Sequence, residues 1–209
     1  MRLLEQLLAQ DPAAPRLSIY DGDARLDFSA QTLDNWAAKV ANMLREEFDL
    51  YPGDAISMDL PCSWQAVVLT LGCIAAEVEV RDGQDEDVLF AEAAPEGFDG
   101  ELVLISRDPF GRGIEETGGT LPPGAIDFGP TVRVYGDVFP EPGPRLDAWT
   151  TKAEPQRVLL EGWQDVAGMR KALAPMAAGG SVVVVTGGVS QARLDEIARA
   201  ERVDARIEV

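Results

Sequence analysis

Val182-Val183-Val184-Val185, closed by Thr186-Gly187-Gly188, is the most restrictive stretch of this sequence. Four β-branched residues in a row read as a strand, and a strand without polar alternation must be covered on both faces. Strands of that kind belong to parallel sheets with helices on either side. The run Ser181–Thr186 is therefore expected to be a buried strand, turning at the two glycines into a helix capped by Ser190. A dinucleotide-binding fingerprint at this turn would need G-x-G-x-x-G, and its third position is missing after Gly188. An ordinary strand-to-helix turn is the better reading, and a weak anion site at the helix N-terminus near Ser190 stays open.

The same alternation of strand and helix runs through the chain. A short amphipathic helix is predicted over residues 2–9. Leu17-Ser18-Ile19-Tyr20 and Arg25-Leu26-Asp27-Phe28 alternate around Asp21-Gly22, which predicts a β-hairpin near the N-terminus. Ser29 then caps a long helix whose apolar face is Leu33, Trp36, Ala37, Val40, Ala41, Leu44 and Phe48. Tyr51-Pro52-Gly53-Asp54 breaks the chain before a strand over Ala55–Leu60. Pro61 to Glu77 reads as a helix that is apolar nearly all round, hence buried on more than one side. Short strands are predicted near Val78–Val80, Val88–Phe90, Leu102–Ile105, Arg157–Leu160 and Ala205–Val209, with a helix from about Gln164 to Ala177. The expected fold is one α/β domain over 1–209, with a mainly parallel sheet flanked by helices. Residues 106–156 hold eight Gly and eight Pro in 51 positions and predict a long irregular segment within it.

Composition removes whole classes of chemistry. The chain has no His, so Ser-His-Asp, Cys-His and histidine-based zinc sites are excluded. Cys62 and Cys73 fall in one predicted helix, about 16 Å apart along its axis, too far for a disulfide. They read as structural thiols of a reducing compartment. The net charge of −18 disfavours nucleic acid and anionic membrane surfaces as partners. The N-terminus, Met1-Arg2-Leu3-Leu4-Glu5-Gln6, lacks an apolar signal core, and the longest apolar stretch is too short to span a bilayer. A cytoplasmic location is expected. Fifteen Arg against three Lys is the bias of a GC-rich bacterial genome.

Two segments resemble the adenylate-forming superfamily, which includes the acyl-CoA synthetases. From about Pro15 to Val80, Leu26-Asp27-Phe28-Ser29 with Leu33 resembles the entry to that family's first long helix. Leu50-Tyr51-Pro52-Gly53-Asp54-Ala55-Ile56 is similar to its G-D turn and strand, and Leu60-Pro61-Cys62-Ser63-Trp64 to its "L-P-N-S" helix start. From about Val158 to Val203, Val166-Ala167-Gly168-Met169 with Leu173 to Val183 resembles the family's "H-x-x-G" helix and following strand, and Ile197 to Val203 the close of the next helix. The resemblance implies the N-terminal subdomain of the large domain of such an enzyme, as a truncated, stand-alone chain.

The residues that adenylation uses do not carry over. The family's phosphate loop ends Pro-Lys-Gly, whereas this chain offers Thr117-Gly118-Gly119-Thr120-Leu121-Pro122-Pro123-Gly124, with Pro123 where the lysine would stand. Proline removes both a cation and an N–H donor. Asp165 replaces the family's histidine, and a carboxylate repels phosphate. The adenine and Mg²⁺ motif and the C-terminal catalytic lysine have no counterpart in this sequence. We therefore expect no catalytic residue, no metal site and no cofactor, and leave cofactor-binding residues unassigned. The expectation is a non-catalytic binding or protein-interaction module. The alternatives are a small-molecule binder for an acyl, AMP or CoA-type ligand and a subunit of a split synthetase. A homodimer or protein partner is expected at an exposed sheet edge. Asp82-Gly83-Gln84-Asp85-Glu86-Asp87 lacks the ligand order of a calcium loop and reads as a solvated turn. Asp108-Pro109-Phe110-Gly111-Arg112-Gly113 is either an Asp-Pro turn or an anion-binding loop. Trp36 and Trp64 read as core, while Trp149 and Trp163 are candidates to line a pocket.

Overall fold

The valine run lies at the centre of the first of two five-stranded sheets in the computed structural model, which describes residues 3–209. The elements in chain order are α1 (Glu5–Gln10), β1 (Pro15–Asp21), β2 (Ala24–Ser29), α2 (Ala30–Glu46), β3 (Ala55–Asp59), α3 (Trp64–Ala75), β4 (Glu79–Asp82), β5 (Val88–Ala91), β6 (Glu101–Leu104), β7 (Ile126–Asp127), α4 (Phe128–Val132), α5 (Leu146–Trp149), β8 (Arg157–Leu160), α6 (Val166–Ala172), α7 (Ala174–Ala177), β9 (Ser181–Thr186), α8 (Gln191–Ala200) and β10 (Ala205–Arg206). Arg2, the predicted start of the first helix, lies outside the described residues. The chain divides into two compact units, one running up to Asp34 and resuming at Pro144–Val209, the other spanning Asn35–Gly143. Two sheets thus stand where periodicity predicts one, because β-strand patterns do not say which strands pair.

In the first unit the order is β10-β8-β9-β1-β2. The first four strands run parallel, and β2 folds back antiparallel on β1 as the predicted hairpin, with Gly22 at φ 57° in its turn. Val182, Val183 and Val184 have no exposed surface. Val183 and Val185 pack with Tyr20, Leu159 and the α8 residues Leu194 and Ile197, while α7 packs against β9. The helix expected over Gln164–Ala177 is broken at Leu173 into α6 and α7. Pro175 has no N–H to continue the helical ladder across that point.

The second unit is all parallel, in the order β4-β3-β5-β6-β7. Ser63 caps α3 by accepting from the Ala66 N–H, and the helix is buried from Trp64 to Ile74, as an all-round apolar helix requires. A Cβ added at Gly72 would collide with the Cβ of Val40 on α2, so the glycine permits a close crossing. Phe90 sits at the core with Phe48 and Phe128 edge-on to it at 6.0 and 6.3 Å.

The 106–156 stretch is less irregular than its composition predicts. It supplies β7, α4, α5 and a 3-10 turn over Glu115–Thr117. β7 is two residues long and exists through its pairing with Val103 and Leu104, which no local pattern announces. Further on, Lys39 donates to the Tyr135 carbonyl at 2.6 Å, and Asn42 to those of Gly136 and Val138, both at 3.1 Å. These bonds tie the loop to α2. Among the described residues, no helix is long and apolar enough to cross a membrane.

Candidate functional site

In open α/β sheets, ligands bind in crevices beyond the carboxyl ends of the strands. In the second unit those ends carry the segment that begins at Ser106. Gln65 on α3 anchors it, its amide donating to the carbonyls of Ser106 and Asp108 at 3.1 Å each. Asp108 is buried and closes the turn on itself. One carboxylate oxygen accepts the N–H groups of Phe110 (2.9 Å) and Arg112 (3.1 Å). The other takes the Arg112 guanidinium at 3.0 and 2.7 Å. The Arg112 side chain, with those two backbone N–H groups, holds the Asp108 carboxyl at about 2, against the opposing effect of desolvation. Gly111, at φ 71°, brings the backbone against Trp64, which meets Trp36 edge-on at 5.1 Å. Of the two readings of Asp108–Gly113, the structure shows the Asp-Pro turn, with Arg112 engaged by the chain's own carboxylate.

The next donors are taken in the same way. Glu116 accepts the Gly113 N–H at 2.6 Å and two bonds from Arg133, which together lower its pKa. The buried Asp127 accepts the N–H of Glu115 at 3.4 Å. The glycine-rich Thr117–Gly124 follows as a turn in which Gly118 sits at φ 85°. It does not wrap a helix N-terminus. Thr120 and Pro122 instead form one wall of an open groove of about 440 Å³. The other walls are Glu92, Ala93 and Ala94 after β5, Leu104, Ile105, Ser106 and Arg107 at the end of β6, and Ile114. At its mouth Arg107 pairs with Glu92, donating from Nε at 2.7 and 2.8 Å and from Nη2 at 2.5 Å.

A second depression, of about 550 Å³, belongs to the first unit and is lined by Gln6, Thr150 to Glu154, Ala174, Ala177 and Ala178. It lies beside the segments that precede β8 and β9, at the amino ends of those strands, where parallel sheets do not place ligand sites.

The remaining residues singled out from sequence have structural duties. Asp165 is the N-cap of α6, accepting the Gly168 N–H at 2.6 Å. Ser190 caps α8 through the Arg193 N–H, and the preceding turn faces the Asp21 carboxylate, to which Thr186 donates. Asp82–Asp87 is an exposed turn bridged by Arg81, which pairs with Glu79 and Glu86. Trp163 is buried, and Trp149 carries the Arg170 guanidinium 4.9 Å above its ring; neither lines the two grooves. Cys62 and Cys73 are not joined in a disulfide, and burial pushes the Cys73 pKa up.

Sequence reasoning missed Glu92 and Arg107. They are fifteen residues apart on loops that meet because β5 and β6 are parallel neighbours, with Ala91 opposite Leu104. The division of charge was also missed. Asn35–Gly143 contains 21 acidic and 6 basic residues, a net −15, leaving −3 for the rest of the chain. A count per segment would have found it.

No protein-family profile matches this chain. A Mycobacterium tuberculosis protein, "TIGR03089 family protein", is 38% identical over an alignment of 160 residues, and the match covers 69% of this chain and 64% of that one. Among solved structures, an acyl-CoA synthetase from Brucella canis superposes with a TM-score of 0.75 at 14% identity. The match covers 99% of this chain and 47% of that enzyme. Acetoacetyl-CoA synthetase from Streptomyces lividans superposes with a TM-score of 0.68 at 15% identity, over 99% of this chain and 42% of its own. The chain thus spans less than two thirds of each of these proteins.

Proposed function

We propose that this chain, which has the acyl-CoA synthetase fold over the part of those enzymes that it covers, is a binding protein that does not itself form adenylates. The observation that carries this reading is the filling of the 106–127 segment by its own anions. Adenylate formation needs backbone N–H groups and cations directed at phosphate oxygens, together with a metal ion. Here Asp108, Glu116 and Asp127 take the N–H groups of residues 110, 112, 113 and 115, and Arg112 and Arg133 are paired with two of those carboxylates. A triphosphate would have to displace fixed carboxylates inside a unit of net charge −15, which long-range repulsion opposes.

The test is ATP–pyrophosphate exchange with purified protein and a panel of short- to long-chain carboxylic acids. We expect exchange no faster than the protein-free blank, and exchange above it with any acid would overturn the reading.

The groove beyond β5 and β6 favours a small molecule over a protein as the thing bound, because its volume falls in the range of ligand pockets. Acyl, AMP and CoA-type ligands are separable by thermal shift. A ligand at a hundred times its dissociation constant adds about 2.7 kcal/mol, roughly 5–10 °C for a domain of this size. A subunit role within a split synthetase would appear instead as exchange activity only on adding a second chain. Pairing through the outer strands β2 or β4 is the corresponding proposal for a homodimer, read by light scattering.

A further inference from the structure

We propose that the groove beyond β5 and β6 binds a small organic cation, a primary amine or guanidinium on a short alkyl chain, with Glu92 as its charged anchor. This rests on the reading of the chain as a binding protein, and it names the ligand class from the groove's own chemistry.

The floor and walls are apolar at Ala93, Ala94, Leu104, Ile105, Ile114 and Pro122, so the body of the ligand is hydrocarbon. Charge enters at one place, the Glu92–Arg107 pair, and its two members are not equivalent. The Glu92 side chain is 24% exposed and that of Arg107 is 78% exposed. An incoming cation takes over the Glu92 carboxylate and releases the guanidinium into water that already surrounds most of it. An incoming carboxylate would draw Arg107 away and leave the less exposed Glu92 without that counter-charge beside an apolar wall, the costlier outcome. The asymmetry therefore selects positive over negative ligands. The field agrees, since the unit that holds the groove has a net charge of −15 and concentrates cations near its surface. Arg107 acts as a tethered stand-in, a guanidinium on an alkyl stem occupying the place the ligand head would take. Of the two hydroxyls in the lining, that of Ser106 is held by the turn, donating to the Arg112 carbonyl and accepting the Asp108 N–H, whereas that of Thr120 offers an oxygen acceptor to an ammonium.

The test is titration of the isotopically labelled full chain with n-pentylamine and, separately, with pentanoate, followed by amide chemical shifts. Pentylamine should move the amides of Glu92–Ala94 and Ile105–Arg107 with a dissociation constant of about 1–10 mM, in keeping with a ligand of so few atoms. Pentanoate should leave them in place. Replacing the anchor, Glu92→Gln, should weaken pentylamine by about tenfold or more. Removing the competitor, Arg107→Ala, should strengthen it by about threefold. A merely structural ion pair would not give opposite signs for the two variants, and each variant's spectrum reports whether it is folded. Shifts from pentanoate but not from pentylamine, weaker amine binding by Arg107→Ala, or no shift with either probe would each overturn the proposal. None of these results bears on adenylate formation, which pyrophosphate exchange reads separately.

Discussion

Asp108 does for its turn what a bound anion does for a phosphate loop: its carboxylate accepts two backbone N–H groups and neutralises an arginine. Replacing it with Asn keeps the size and one acceptor but removes the charge that both oxygens share. We expect the amides of Phe110 and Arg112 to exchange roughly tenfold faster in Asp108→Asn, since charge-assisted bonds are about twice as strong as neutral ones. Unchanged exchange would show that the turn holds without the carboxylate. Glu201 does comparable work in the first unit, where it receives Tyr20, Arg25 and Arg157 at the C-terminal end of α8. Burial alone would raise its pKa, but the hydrogen bonds from Arg25, Tyr20 and Arg157 outweigh that and bring it to about 2. A carboxyl whose folded pKa is depressed stabilises the fold above its unfolded value of 4.5, and that contribution is lost as pH falls from there towards about 2. Glu201→Gln should therefore lower unfolding free energy at pH 7 by about 2–3 kcal/mol, because it takes the counter-charge from Arg157 and leaves Arg25 with Asp27 alone. The deficit relative to the parent chain should shrink as denaturant melts are repeated at lower pH. A constant deficit down to pH 3 would show that the effect is packing and not charge.

Helix identities follow from local rules in this chain, and helix contacts do not. Ser29 and Ser190 cap where their positions predict, each accepting an N–H three residues on, while Ser63 caps a helix expected to begin at Pro61 that begins at Trp64. The break between α6 and α7 was also available from Pro175, had its missing N–H been weighed against the apolar spacing. What could not be read is the partner of Gly72. In sequence it is a weak point in an apolar helix; in the fold it is where α3 comes close against α2, with Val40 filling the space of the missing side chain. Gly72→Ala should destabilise by about 1–3 kcal/mol through overpacking, although alanine is the better helix former. Combining it with Val40→Ala should recover part of that loss, and a purely additive double variant would argue against direct contact. The strand β7 teaches the same lesson. Ile126-Asp127 has no β pattern of its own and becomes a strand because Val103 and Leu104 offer it an edge.

The acidic excess of the chain is concentrated in Asn35–Gly143, and its internal repulsion is a destabilising term that salt screens. Raising NaCl from about 10 mM to about 500 mM shortens the Debye length from about 30 Å to under 5 Å. The melting temperature should rise by several degrees over that range, and a fall would mean that ion pairs such as Arg133–Glu116 outweigh the repulsion. By itself, the sequence determined the order of strands, hairpin and helices outside residues 106–156, the caps at Ser29 and Ser190, the exclusion of histidine chemistry and the resemblance to acyl-CoA synthetases that the superpositions bear out as fold. All of these depend on side-chain type and short spacing. Only the tertiary structure decided that the strands form two sheets, that Asp108, Glu116 and Asp127 fill the loop's own N–H groups, and that Glu92 meets Arg107 over an apolar groove. Those facts rest on which distant segments pack side by side, and strand pairing between remote segments is set by the burial of the whole sheet, which no local window of residues contains.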